Sequence, residues 1–226
     1  MAPLLAYPET LAAPPRGRVL VLAPHADDET IGCGGAIALH VAQGDPVAIA
    51  IATDGMRGDP DRFTGVDYRD LRRSEARAAA AILGAEPPEF WDLPDGGLVD
   101  LATDPSWPLV ERVRDAIARL RPAIVYAPPE TDVHPDHHAL GAAVREALAA
   151  AGARDRPRAL AYDVWVPVRA THVLDVSAVW ERKETALRAY ASQLAYNDYV
   201  RAARGLAAAR TVYLPGSSAV EAFAAV

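Results

Sequence analysis

Two short stretches of this chain combine imidazole with carboxylate. His25, Asp27, Asp28 and Glu29 lie within five residues, directly after the apolar run 18–23 and Pro24. His134, Asp136, His137 and His138 follow a second apolar run, 123–127. A polar turn in which Asp28 or Thr30 caps the next helix accounts for one of the first three acids, not for all of them. Imidazole with carboxylate and no thiolate suits a catalytic Zn²⁺, or Fe²⁺ or another divalent ion, with an open coordination position. A water bound to such an ion has its pKa lowered from about 15.7 towards roughly 7. A remaining carboxylate can then serve as general base, and a remaining imidazole can hold charge developing on a substrate oxygen. Cys33 is the only cysteine, so a disulfide or a thiolate cluster is excluded within the chain.

The elements that must position these groups alternate. Apolar runs at 18–23, 46–53, 89–93 and 123–127 read as buried strands, with later strands at 159–166 and 172–176. Between them, helices are expected over 29–43, 68–83, 105–120 and to about 151, stopped by Gly44, Gly84 and Gly152. One amphipathic helix is expected over 177–193 and a shorter one over 197–209, while 54–67 and 94–104 read as loops. The fold class that follows is α/β, a single Rossmann-like domain over 1–226 with a mainly parallel sheet and helices on both faces. Residues 1–17, with Pro3, Pro8, Pro14 and Pro15, read as an irregular N-terminal arm. In the doubly wound order 3-2-1-4-5 the first and fourth strands are neighbours, and ligands bind beyond their carboxyl ends. Both imidazole–carboxylate clusters follow those two strands, so the order brings them to one crevice.

Charge and composition narrow the partners. Net charge is −7 and no long Lys/Arg run occurs, which argues against nucleic acid or an anionic membrane surface. No apolar stretch has the length to cross a bilayer, and the N-terminal stretch lacks a signal-peptide pattern, so the expected location is cytoplasmic. The expected partner is a small molecule, and homo-oligomerisation is left open. His40 and His172 read as structural, and His138 as a neighbour of the site rather than a member.

His25-Ala26-Asp27-Asp28-Glu29 together with His134-Pro135-Asp136-His137 resembles the PIG-L/LmbE-like family of zinc-dependent N-acetyl sugar deacetylases. Arg72-x-x-Glu75 leading to Leu83-Gly84 is similar to that family's second-helix pattern, and Lys183, Ala186-Leu187, Tyr190 and Ser192-Gln193 to a late helical one. The resemblance implies His25, Asp28 and His137 as metal ligands, Asp27 as general base and His134 as the group stabilising the oxyanion. It also implies that Asp136 orients His134 and that Arg72 and Asp95 contact the sugar. Two positions depart from the pattern. Ala26 stands where a proline is usual, and Met56 where Glu is common.

The expected activity is metal-dependent removal of an N-acetyl group from an amino sugar or sugar conjugate. The alternatives are a nucleotide-binding Rossmann-like module, since glycines 32, 34 and 35 open the first helix, and a non-catalytic member of the family. The glycine spacing is not G-x-G-x-x-G, and acids occupy the turn where phosphates would sit.

Overall fold

The computed structural model describes residues 7–58, 65–103, 109–150, 152 and 156–226. One eight-stranded sheet receives strands from both ends of the chain, in the order β1-β7-β8-β6-β5-β2-β3-β4. These strands are β1 (Glu9–Leu11), β2 (Val19–Ala23), β3 (Val47–Thr53), β4 (Glu89–Leu93), β5 (Ile124–Ala127), β6 (Arg158–Tyr162), β7 (His172–Asp175) and β8 (Val220–Ala225). All pairings are parallel except those of β8, which is antiparallel to both β6 and β7. The segment β4-β3-β2-β5-β6 is the expected doubly wound order, with β2 and β5 paired from Val19–Ile124 to Val21–Tyr126.

The helices are α1 (Asp28–Ala42), α2 (Tyr68–Leu83), α3 (Leu98–Thr103), α4 (Leu109–Leu120), α5 (Pro135–Ala150), α6 (Trp180–Arg188), α7 (Ala191–Leu194) and α8 (Tyr199–Arg210). β2 and β3 are buried at every position because helices cover both faces. Their alternate residues feed two separate cores. Val19, Val21 and Ala23 pack with Ile37, Ala76, Ala80 and Leu83 from α1 and α2, while Leu20 and Leu22 pack with Val113, Leu140 and Val144 from α4 and α5. Close approach of α1 to the sheet demands glycine. A Cβ at Gly32 would stand 2.1 Å from the Tyr162 ring, and one at Gly35 2.6 Å from Val176.

Five expectations change, the first being that the strand expected over 159–166 ends at Tyr162. The N-terminal arm is not wholly irregular: Glu9–Leu11 pairs with β7 as an edge strand. The loop after β4 contains α3. The single helix expected over 177–193 is a 3₁₀ turn at Ser177–Val179 followed by α6 and α7, broken at Tyr190 (φ −84°, ψ 55°). Two buried acids account for the break: Tyr190 Oη donates to Glu29, and Ser192 donates through N–H and Oγ to the Glu75 carboxylate at 2.7 and 2.6 Å. The last strand, β8, was not expected at all. The helix start expected at Pro105 lies outside the described residues. Among the described residues no helix is long and apolar enough to cross a membrane.

α1 is itself interrupted. Cys33 is non-helical (φ −138°, ψ 24°), so the Ile31 carbonyl and the Gly35 and Ala36 N–H groups need partners outside the ladder. Lys183 Nζ donates to Ile31 O at 2.8 Å, and Glu221 accepts from Gly35 and Ala36 N–H at 2.7 and 2.8 Å. Lys183 and Glu221 pair with each other at 2.7 Å, both buried. This clamp ties α6 and β8 to the helix that carries the first cluster.

Candidate active site

β2 delivers the chain to Pro24, whose carbonyl accepts from both Thr53 N–H and Thr53 Oγ at 2.9 Å. The turn that follows is fixed by a single carboxylate oxygen. Asp28 Oδ2 accepts from His25 N–H at 2.9 Å, lies 3.1 Å from His25 Nδ1, and lies 3.2 Å from His137 Nε2. The residue between them, Asp27, sits at φ 135°, a conformation costing a non-glycine residue on the order of 1–3 kcal/mol. It is held there from both sides. Its N–H donates to Glu29 Oε2 at 3.1 Å, and its carbonyl accepts from Thr30 and Ile31 N–H at 3.0 and 2.8 Å. Glu29 is in turn fixed by the hydroxyls of Thr30 and Tyr190.

β5 and the start of α5 bring the second cluster alongside. The ring nitrogens of His25, His134 and His137 include a set lying within 4.8 Å of one another. Each imidazole beside Asp28 has a carboxylate behind it: His25 Nε2 is 3.1 Å from Asp136 Oδ2 and 3.2 Å from Asp95 Oδ1, and His137 Nδ1 is 3.4 Å from Asp132 Oδ2. Such backing fixes ring orientation and tautomer in metal centres. Asp136 is completely buried and also accepts from Gly96 and Leu98 N–H at 2.7 and 2.9 Å, which docks α3 onto the site. Its carboxylate therefore serves His25, not His134 as expected. Only its backbone reaches His134, donating to Nδ1 at 3.2 Å.

That backbone bond sets the chemistry of His134. With Nδ1 accepting, the neutral ring carries its proton on Nε2 and is a donor, on a ring that lines the cavity. Burial, with His25 and His137 adding to it, lowers the His134 pKa and keeps the ring neutral. The other two imidazoles differ. Burial opposes charge on His25, yet the carboxylates of Asp136, Asp28 and Asp95 hold it well above the ordinary value. Burial likewise opposes charge on His137, but Asp28 and Asp132 bring it up to about 9. For Asp28, burial is outweighed by His137 and His25, which push its carboxyl far below the usual range. Asp27 behaves oppositely: burial drives it up to about 8, with Arg72 working against the rise.

His137 is wholly buried, and neither ring nitrogen has a hydrogen bond of good geometry. Buried imidazoles are rarely left so. His25 Nδ1, Asp28 Oδ2 and His137 Nε2 are two nitrogens around one oxygen at 3.1 and 3.2 Å, a donor set that fits a divalent cation, whose binding would replace the protons the imidazoles otherwise hold. His134 is the other nitrogen near the group. Asp28 is the better third donor because it touches both of the other rings.

All eight residues singled out in the sequence meet here. His25, Asp27, Asp28, Arg72, Asp95 and His134 line one cavity of about 550 Å³, and Asp136 and His137 lie buried beneath it. Arg72 is not on a solvated helix face. It is buried, donates to Ala26 O at 2.6 Å and stands 3.7 Å from Asp27 Oδ2. Asp95 has both oxygens engaged, one near His25 and the other accepting from Arg57 N–H at 2.8 Å. His138 is turned to Glu130 O, and His40 is buried between Asp45 and Tyr126, as structural roles require. Asp132 was missed. Its placement two residues before His134, whose N–H it accepts at 2.9 Å, was the available signal. Trp165, which stands over His134 with ring centroids 6.5 Å apart, carried no signal.

A doubly wound α/β protein with a histidine–carboxylate centre at its switch point is the class that fold and site define. The chain belongs to the family described as PIG-L: GlcNAc-PI de-N-acetylase, whose pattern matches residues 20–148. It is 34% identical over 187 residues to a Bacillus subtilis (strain 168) protein named "Probable N-acetyl-alpha-D-glucosaminyl L-malate deacetylase 2", covering 77% of this chain and 82% of that one. It is also 31% identical over 222 residues to a Pseudomonas putida KT2440 protein named 4-oxalmesaconate hydratase, covering 88% and 83%. Among solved structures, a conserved protein of Thermus thermophilus superposes with a TM-score of 0.76 at 32% identity, covering 91% of this chain and 92% of that one.

Proposed function

We propose that this protein is a metal-dependent hydrolase, with Zn²⁺ the expected ion, that removes the N-acetyl group of an amino sugar or sugar conjugate. The observation that carries the reading is the arrangement around Asp28: two imidazoles share its oxygen, while a donor imidazole, His134, and a high-pKa carboxyl, Asp27, line the same cavity. His25, Asp28 and His137 would hold the ion, which when bound supplies a Lewis acid and an acidified water. Asp27 takes the proton from the attacking water, a role suited to a carboxyl near neutrality. His134 donates through Nε2 to the amide oxygen as it gains charge. The proton reaches the departing amine from Asp27. Asp132, Asp136 and Asp95 hold the rings of His137 and His25. Arg72 and Asp95 border the space for the sugar, although each already has a protein partner.

The hydratase relative supports a second reading, since addition of water to a carbon–carbon double bond also needs an activated water and a proton donor. A polycarboxylate such as that relative's name describes requires several cations. Among the described lining residues outside the proposed metal site, only Arg57 and Arg72 carry a positive charge, and Arg72 is committed to Ala26 O and Asp27. Deacetylation is therefore the favoured reading. Acetate release by the zinc-loaded protein, measured on a panel of N-acetyl amino sugars and glycosides, tests it. No acetate from any of them, with turnover of an unsaturated polycarboxylate, would replace it with the hydratase reading.

A further inference from the structure

The cavity has two unlike walls, and the sheet order says where each lies. The histidine–carboxylate centre follows the carboxyl ends of β2 and β5, which are neighbours in the sheet. Towards β3 and β4 the cavity is bounded by Arg57, Gly58, Asp95 and Gly96, a polar wall. Beyond β6, on the other side of the centre, it is bounded by Val164, Trp165, Tyr199, Ala202 and Leu206, together with Ile31. No charged group lines that second wall among the described residues; the Tyr199 hydroxyl accepts from Asn197 and keeps its own hydrogen as a donor at the wall's edge.

Trp165 is the large exposed side chain of this wall, with 53% of its surface open. It is not loose. Its N–H donates to Asp132 Oδ2 at 3.3 Å, the same carboxylate that stands behind His137, and Tyr199 meets it edge-on at 6.4 Å. Its ring lies within 23° of the plane of His134. An apolar platform is thus anchored to the centre itself and continues the surface on which the acetamide must rest.

Resting on the deacetylase reading, we infer that the wall formed by Trp165, Tyr199 and the inward side of α8 is a subsite for an apolar, uncharged aglycone of the N-acetyl sugar, an alkyl or aryl group. Sugar hydroxyls find partners on the Arg57–Asp95 side. Hydroxyls or carboxylates placed against the face of the Trp165 ring and Leu206 would lose water without replacement, which disfavours a polyol or a dicarboxylate there. An alkyl or aryl group gains by leaving water in the same place.

The test is a homologous series of alkyl N-acetylglucosaminides, from methyl to butyl, with a malyl glycoside as the charged comparison. For the zinc-loaded protein kcat/KM is expected to rise roughly fourfold per added methylene, the worth of full burial of each group. The malyl compound should fall below the methyl one. Leu206→Glu, and separately Ala202→Glu at an exposed position of α8, should flatten the series. The butyl-to-methyl ratio within each variant is the readout, so a general loss of activity does not imitate the effect. A flat series in the wild type, or a preference for the malyl compound, overturns the subsite. If no glycoside releases acetate, the deacetylase reading fails instead. Calorimetric binding of the same series to the metal-loaded protein then decides the subsite by its dependence on chain length, absence of which overturns it.

Discussion

Replacing Arg72 should move the pH profile rather than the sugar preference. Its guanidinium stands 3.7 Å from Asp27 Oδ2, with both side chains almost out of solvent. At that distance a pair of unit charges interacts by about 1 kcal/mol at the dielectric of water and about 4.5 kcal/mol at an effective dielectric of 20. With about 1.36 kcal/mol per pH unit, this corresponds to roughly 1–3 units. The sign follows from the direction of each influence. Burial raises the Asp27 carboxyl, to about 8, and Arg72 lowers it. Losing the cation must raise it further and leave less carboxylate available at neutral pH. The acid limb of kcat/KM in Arg72→Met, loaded with zinc, is therefore expected to shift to higher pH by about 1 unit or more, with activity recovering at alkaline pH. Arg72→Lys, which keeps the charge, should shift it less. Metal content and melting temperature, measured alongside, exclude a folding defect. A limb that stays in place while kcat/KM falls at every pH would refute the electrostatic argument and return Arg72 to the role of gripping the substrate.

His25→Ala, Asp28→Ala and His137→Ala are each expected to lose most bound zinc, measured by metal analysis after dialysis, because a three-donor site tolerates no vacancy. Asp27→Asn should retain zinc and lose roughly 10²-fold or more in kcat, the scale of a positioned general base; near-native turnover would exclude Asp27 from that role. His134→Ala should also retain zinc and lose on the order of 10²-fold, as removal of one oxyanion donor does. Lys183→Met should destabilise the fold by about 3–5 kcal/mol in denaturant unfolding, since it strands Glu221 as a buried charge and leaves Ile31 O unpaired. A loss under about 1 kcal/mol, within the range of exposed pairs, would show that water reaches the pair.

How much of this was legible depended on the range over which each feature is set. The convergence of His25–Glu29 with His134–His137 was readable because it needs only alternating strands and helices and the usual order of a doubly wound sheet. The direction of the Asp136 carboxylate was not, because α3 decides it by presenting Gly96 and Leu98 N–H groups to it from 40 and 38 residues away. Asp132 stands in the loop before His134, but its place behind His137 is set by tertiary packing. β8 escaped because a short apolar run containing Glu221 argues against a buried strand. The acid is tolerated there only because Lys183 and two N–H groups freed by the kink at Cys33 meet it. The break at Tyr190 escaped for the same reason: its cause is Glu29 and Glu75, far away in sequence.

A sugar deacetylase and a hydratase among the relatives, each about a third identical to this chain, bear on what the centre can decide. In the proposed mechanism His25, Asp28 and His137 with their backing carboxylates would prepare a water, and Asp27 and His134 would move or hold a proton; neither act would distinguish an amide carbon from an alkene carbon. Discrimination has to come from groups that fix the substrate relative to that water. On the proposed reading those groups would be the polar wall after β3 and β4 and the apolar wall after β6 and on α8, set on different strands from the centre. Changes at Arg57, Trp165 or Leu206 can therefore alter what is bound without disturbing Asp28 and the two rings that share its oxygen. On that reading the Trp165 backbone, bonded to the carboxylate behind His137, would couple metal holding to substrate selection. A substitution that shifts this backbone should affect metal retention and substrate preference together, whereas one confined to the indole should affect preference alone.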